Sequence, residues 1–382
     1  MQMNALAPFA LKRFLFGAEA RAATYDLSAS YCQPLVVEDV LALDGAAAEE
    51  FHRAKLGYPD FGGSPYLRES ISGLYDHVGA DDLGVYAGGD DSILAFMTTW
   101  LNAGDHVIVQ VPTYQSLYSL PQALGAEVEL LQLQEDRGWS FDFSELADRL
   151  RPETRAVVLN LPQNPTGMSI ALDDYLALFQ LAEARGFIVF VDEIYRLLEQ
   201  DPATTLPAAA DCSPQGVSLG AMSKIFGLPG LRLGWLATRN AEVQSRLAGL
   251  RDYHNSTISA PSEALAHLAL THKDRILADN RARIDHNLTL LDAFMTRHGN
   301  HITWQQPVAG TMAFPRLADG LSSSAFTDRL LKDASVLLPS SRYFDHGDSH
   351  FRIGFATDHF ADDLKALETA IDRLGDKLFT VG

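Results

Sequence analysis

One lysine of this chain sits where a lysine is rarely found. Lys224 lies in the run Gly220-Ala-Met-Ser-Lys-Ile-Phe-Gly-Leu-Pro-Gly-Leu-Arg-Leu-Gly-Trp235, among small and apolar residues. Three glycines fall in the ten positions after it, and Arg232 comes eight residues on. An ammonium taken out of water loses proton affinity, and the free amine is a nucleophile able to condense with a carbonyl group. A second unusual charge is Asp192, which ends the apolar run Phe187 to Val191. A carboxylate is costly there unless it is paired, and a protonated ring nitrogen would pair it. Tyr195 follows three residues later and can point to the same side.

Three further segments carry polar groups in a similar setting. Asn160-Leu-Pro-Gln-Asn-Pro-Thr-Gly167 holds Asn164 between prolines at 162 and 165. Such a turn suits either a rigid amide donor or plain capping. Val111-Pro-Thr-Tyr-Gln115 offers Tyr114, which can stack on a flat ring or simply pack in a core. Val85-Tyr-Ala-Gly-Gly-Asp-Asp-Ser-Ile93 passes through two glycines into an apolar helix pattern. The N–H groups at such a start favour an anion, although a double glycine is also ordinary turn chemistry. The run has neither GxGxxG nor GxxxxGK[ST] form, which disfavours a dinucleotide or Walker site.

These residues need a frame. Asp105 to Val111, Ala156 to Leu161 and Phe187 to Val191 are short Val/Ile/Leu-rich runs bounded by turns, the pattern of strands buried on both faces. Leu172 to Arg185 has the apolar spacing of an amphipathic helix, and Ile93 to Leu101 is expected to be part of a buried one. Strands alternating with helices predict a mostly parallel sheet covered by helices. In such sheets ligands collect at the carboxyl ends of the strands, which is where the polar residues above fall. After about residue 285 the texture changes. Strand-like pieces at 302–304, 312–315 and 351–355 mix with a helix at 324–334, as in a separate α+β unit.

The bulk composition is consistent with this. The chain has 382 residues, 47% hydrophobic and 21% charged, with a formal net charge of −19. A surface so acidic repels phosphate backbones, so nucleic acid is not an expected partner. Cys32 and Cys212 are far apart and lack metal-binding spacing, which reads as two free thiols in a reducing cytoplasm. No metal site and no membrane partner are expected, since no apolar run approaches the ~20 residues of a span. The first twenty residues lack a secretory pattern.

Together, NPTG, DEIY and SKIFGLPGLRLGW, in that order along the chain, resemble the class I/II aminotransferase family, the fold-type I group of pyridoxal phosphate enzymes. The resemblance runs from about residue 25 to 360. It implies an aspartate aminotransferase-like fold of α/β class. A large domain (50–285) would hold a mostly parallel seven-stranded sheet between helices, and both chain ends (1–49 and 286–382) would form a smaller α+β domain. It implies pyridoxal 5′-phosphate as cofactor, joined to Lys224 as an internal aldimine. Asp192 would pair with the pyridine nitrogen, Asn164 and Tyr195 would bond the ring 3′-oxygen, and Tyr114 would stack on the ring. Gly89 and Asp90 N–H groups, Ser223 and Arg232 would serve the phosphate. Arg352, in His350-Phe-Arg-Ile-Gly-Phe355, would bind the substrate carboxylate together with Asn164. Tyr58 would reach the phosphate of a neighbouring subunit, implying a homodimer. The implied reaction moves an amino group between an amino acid and a 2-oxo acid.

Some features depart from that pattern. Ala221 stands where the family has a serine or threonine, so one phosphate contact is lost unless Ser223 or Ser92 supplies it. Asp90 and Asp91 put carboxylates beside the expected dianion and are expected to turn away. His254 to Ser259 contains no arginine for a distal carboxylate, and Arg251 is offset from it, which argues against aspartate or glutamate as the specific donor. Leu250 to Tyr253 and Ala260 to Glu263 resemble members that cyclise an arginine derivative to capreomycidine, so a lyase or cyclase is the alternative. Phe14, Tyr31 and Tyr343 are the expected lining of the side-chain pocket.

Overall fold

The computed structural model describes residues 6–375 and residue 378. The outermost residues of the expected smaller unit (1–5, 376–377 and 379–382) lie outside these. Seven strands form one sheet: β1 (Leu83–Tyr86), β2 (His106–Val111), β3 (Glu127–Gln132), β4 (Thr154–Asn160), β5 (Ile188–Asp192), β6 (Gly216–Ala221) and β7 (Gly234–Ala237). Their spatial order is β1-β7-β6-β5-β4-β2-β3. Only β7 runs against its neighbours; the pairs from β6 across to β3 are parallel.

The expected strands are present within two residues at each end. In β2, β5 and β6 every residue is buried, as a parallel strand covered on both faces requires. Each Val, Ile or Leu buried in this way contributes about 1.5–3 kcal/mol of transfer free energy. The helix expected over 172–185 spans Leu172–Arg185. It stops at Gly186, whose φ of 79° and N–H bond to the Ala182 carbonyl (2.8 Å) make a left-handed cap. The helix expected from Ile93 starts earlier, at Gly89, and ends at Trp100.

The strand-like pieces of the C-terminal third are shorter than their sequence suggests. Ile302–Thr303 pairs with Arg316–Leu317, and Met312–Ala313 with Ile353–Gly354, two residues each. Pro315, which lacks an N–H, follows the second of these stretches and limits its ladder. Near the N-terminus, Tyr25–Asp26 pairs in parallel with Val336–Leu337. The 25-residue helix Lys273–Arg297 runs through residue 285 without a break.

The stretch after Asp26 crosses the sheet edge under tight constraint. Gly354 donates to the Leu27 carbonyl at 2.7 Å, Gln33 to Ala356 at 2.9 Å, and Cys32 to Lys224 at 3.1 Å. A Cβ at Gly354 would lie 1.7 Å from the Ala29 carbonyl oxygen, so this crossing requires glycine there. Among the described residues no helix is long and apolar enough to cross a membrane.

Candidate active site

The sheet brings the singled-out polar residues to one edge. Asn160 ends β4 directly beside Asp192, which ends β5. Ala221 ends β6 opposite Gly234, the first residue of the reversed strand β7, and Gly234 also faces Tyr86 at the end of β1. Because β7 is reversed, its start lies at the edge where β6 ends. The chain therefore passes Lys224 and is back at that edge by Arg232. Arg232 takes a left-handed φ of 50° and donates to the Pro229 (3.1 Å) and Ala87 (3.4 Å) carbonyls. It lies against Gly88, whose φ is 97° and where a Cβ would meet Nη2 at 2.5 Å.

A cleft of about 840 Å³ opens over this edge. Gly89, Asp90, Tyr114, Asn164, Asp192, Tyr195, Ser223, Lys224, Arg232 and Arg352 all line it. Lys224 is half-buried and donates to Ser30 Oγ at 2.9 Å. Burial lowers its pKa to about 8; Arg352 and Lys12 act the same way, against Asp90 and Asp192. Asp192 is buried, and burial pushes its carboxyl up to about 7, with Asp90 adding to the rise and the Ile194 N–H and Lys224 opposing it. Tyr195 donates to the Ser30 carbonyl at 3.1 Å, and burial raises its phenol.

Arg352 comes from the distant C-terminal third and is 1% exposed. It donates to Asn164 Oδ1 (3.1 Å) and to the Ser28 carbonyl (2.8 Å), while its buried Nε has no partner among the described residues. With its oxygen taken, Asn164 keeps its amide NH2 for donation. Asn160 organises this corner. Its Nδ2 donates to the Asp192 carbonyl (2.9 Å), and its Oδ1 accepts the Asn164 N–H (2.7 Å). Sequence reasoning assigned no role to Asn160 or Ser30. Asn160 could have been singled out as an amide ending an apolar strand. Ser30 carries no such signal, because its position depends on where residues 27–33 cross.

Several expectations need correction. The Asp90 side chain does not turn away: it accepts from the Tyr114 hydroxyl (2.8 Å) and from Lys12 Nζ (2.8 Å) inside the cleft. It turns inward because both donors lie on that side. Asp91 does turn away, accepting from the Ala87 N–H and from Asn255 (both 2.9 Å) and contacting His254. Of the expected pocket residues only Tyr31 lines the cleft. Phe14 and Tyr343 stack on each other instead, ring centroids 4.5 Å apart. Ser92 donates to the carbonyl of Gly88, the residue that caps its own helix (3.2 Å), and a Cβ added at Gly89 would lie 4.0 Å from Ala221 Cβ. Arg251 donates to the Tyr86 hydroxyl (3.1 Å) and is not part of the cleft lining. Tyr58 stands apart on the surface, 96% exposed.

An open α/β sheet, with an amine of lowered pKa, a buried carboxyl and an anion-favouring helix start at one edge, defines an enzyme-like site for carbonyl and amine chemistry. Residues 33–371 match the aminotransferase class I and II family, and the chain belongs to it. It is 30% identical over 252 residues to capreomycidine synthase of Streptomyces vinaceus, a match spanning 66% of this chain and 64% of that protein. Its fold is that of a PLP-dependent aminotransferase from Streptococcus suis: TM-score 0.90, 29% identity, 99% of each chain covered. The PLP-dependent cyclase OrfR is also similar, with TM-score 0.88, 26% identity, and 97% of this chain and 98% of that one covered.

Proposed function

We propose that this chain is a pyridoxal 5′-phosphate-dependent aminotransferase that moves an amino group between an amino acid and a 2-oxo acid. The observation that carries this reading is Lys224 and Asp192 lining one cleft, an amine with a pKa lowered to about 8 and a carboxyl raised to about 7. The residues fit the cofactor in two respects and its amino acid substrate in a third. Asp192 is a buried acid, and a basic ring nitrogen would relieve its cost. The glycine turn at Gly88–Gly89 starts a helix with Arg232 against it, a cradle for a phosphate. The orphaned Nε of Arg352 leaves donor capacity for a carboxylate.

In this reading Asp192 would face the ring nitrogen, Asn164 and Tyr195 the ring oxygen, and Tyr114 the ring face. Gly89, Asp90 and Ser223 join Arg232 around the phosphate. When bound, the cofactor supplies an electron sink for the carbanion left by loss of the α-proton. Arg352, fixed by Ser28 and Asn164, grips the α-carboxylate with its planar fork and orients the substrate. Lys224 Nζ takes the α-proton, and its lowered pKa makes the free amine available near neutral pH. Asp192 would share its proton with the ring nitrogen.

Lys224→Ala is expected to lose the visible absorbance of the holoenzyme and the conversion of bound cofactor to its pyridoxamine form by an amino acid. A variant that keeps both defeats the assignment. A second reading, a PLP-dependent lyase or cyclase, draws on the likeness to capreomycidine synthase and OrfR. Donor screening separates the two: pyridoxamine formation supports transamination, whereas a cyclised or eliminated product without an acceptor supports the second.

A homodimer with Tyr58 reaching the partner's phosphate fits the exposed group Leu56, Tyr58, Phe61 and Tyr253, large apolar or aromatic side chains left open to solvent. A cytoplasmic setting fits the two free cysteines. The parallel pairing of Tyr25–Asp26 with Val336–Leu337 supports a smaller domain built from residues 1–49 and 286–382 beside a large one over 50–285.

A further inference from the structure

A carboxylate at the start of a helix meant for a phosphate raises an electrostatic problem. Asp90 is the second residue of the helix Gly89–Trp100, and its side chain lies in the cleft. A dianion bound at that helix start would be repelled by it. A cation remote in sequence meets this charge: Lys12, in the short N-terminal helix Ala10–Leu15, puts Nζ 2.8 Å from Asp90 Oδ2.

We propose that Lys12 is a positioning residue of the cofactor site: as counter-ion of Asp90 it offsets a misplaced negative charge and, through Asp90, holds the Tyr114 ring. This rests on the reading that the cleft binds pyridoxal 5′-phosphate. Both oxygens of Asp90 are engaged, Oδ2 by Lys12 and Oδ1 by the Tyr114 hydroxyl at 2.8 Å. The carboxylate is thus the link between the N-terminal helix and the ring expected to face the cofactor.

The placement of Lys12 is built, not incidental. Gln115, the neighbour of Tyr114, holds the preceding segment with both ends of its amide. Its Nε2 donates to the Pro8 carbonyl (3.0 Å) and its Oε1 accepts the Ala10 N–H (2.9 Å). Phe9 packs on Tyr114 with centroids 4.9 Å apart. Lys12 Nζ lies 4.7 Å from the Phe9 ring and 5.5 Å from the Tyr114 ring, so two aromatic faces and one carboxylate share the ammonium.

The pair also acts on the reactive amine. Lys224 faces Asp90 and Asp192, which favour its proton, and Arg352 and Lys12, which oppose it. Ser30 Oγ and the rings of Tyr31 and Tyr195 complete its surroundings. Lys12 and Asp90 therefore act at Lys224 with opposite sign. Removing Lys12 alone leaves the Asp90 carboxylate uncompensated, which repels the phosphate and raises the proton affinity at Lys224.

The test compares wild type, Lys12→Met, Lys12→Arg and the double variant Lys12→Met/Asp90→Asn. Two quantities are measured: the dissociation constant for pyridoxal 5′-phosphate by equilibrium dialysis, and the pH midpoint of the visible band. Lys12→Met is expected to bind the cofactor about tenfold more weakly and to titrate at higher pH. Lys12→Arg should stay near wild type, and the double variant should recover most of both losses. Unchanged binding and midpoint in Lys12→Met, or a double variant no better than Lys12→Met, overturns the proposal. A wild type that binds no pyridoxal 5′-phosphate fails the underlying reading instead.

Discussion

Replacing Arg352 by methionine should separate activity from stability, because among the described residues the buried guanidinium has no charged partner in contact. It meets two neutral acceptors, the Ser28 carbonyl and Asn164 Oδ1, and leaves Nε unbonded. Burial already lowers its proton affinity. A substrate carboxylate would supply the missing anion, and truncating one side of such a buried charged pair costs about 2–5 kcal/mol. The middle of that range is roughly a few hundredfold in kcat/KM. Stability responds differently. Replacing a buried charge by an apolar side chain of similar length is neutral or favourable by about 1–4 kcal/mol. Leaving two acceptors without their donor costs about 1–3 kcal/mol each. These effects oppose each other and leave a net loss of about 2 kcal/mol, well short of unfolding the protein. Urea unfolding of the apoenzyme should stay cooperative with only that modest shift while kcat/KM for an amino acid collapses. The wild-type preference for an amino acid over the corresponding amine without a carboxylate should collapse with it. A variant with unimpaired kcat/KM, or one whose loss of activity is matched by gross unfolding, refutes the reasoning.

Three further outcomes follow from the same geometry. Asp192 has its folded pKa raised to about 7, so the stability it confers on the apoenzyme is full below its unfolded value near 4 and is lost as pH rises toward 7. Asp192→Asn should flatten that part of the pH–stability profile, read by thermal denaturation, and should also weaken turnover; an unchanged profile contradicts the assignment. Gly88→Ala forces a Cβ into a φ of 97° and against Arg232 Nη2. It should cost about 1–3 kcal/mol in denaturant titration and weaken cofactor retention. Tyr58→Phe should leave the fold intact, since the side chain is 96% exposed, yet weaken cofactor binding if a partner's phosphate uses its hydroxyl. Sedimentation alongside dialysis distinguishes that effect from loss of the dimer.

Much of the frame was legible in the sequence because burial on both faces leaves a local mark. The Val/Ile/Leu runs ending at Val111, near Asn160 and at Asp192 become strands with their ends where the turn residues stand. A polar residue ending such a run must lie at the sheet edge, so Asp192 could be singled out without coordinates, and Lys224 by the small and apolar residues around it. The two-residue strands of the last third were less legible, since so short a ladder depends on its partner rather than on its own composition. What no local pattern encodes is which remote segment crosses the edge. The crossing at residues 27–33 brings Ser30 to the Lys224 amine, and the packing of the N-terminal helix brings Lys12 to Asp90. The inward turn of Asp90 follows from that second contact. Composition and spacing set where the chain must hide its apolar runs and expose its charges. Which distant charges meet is decided only when those runs pack together.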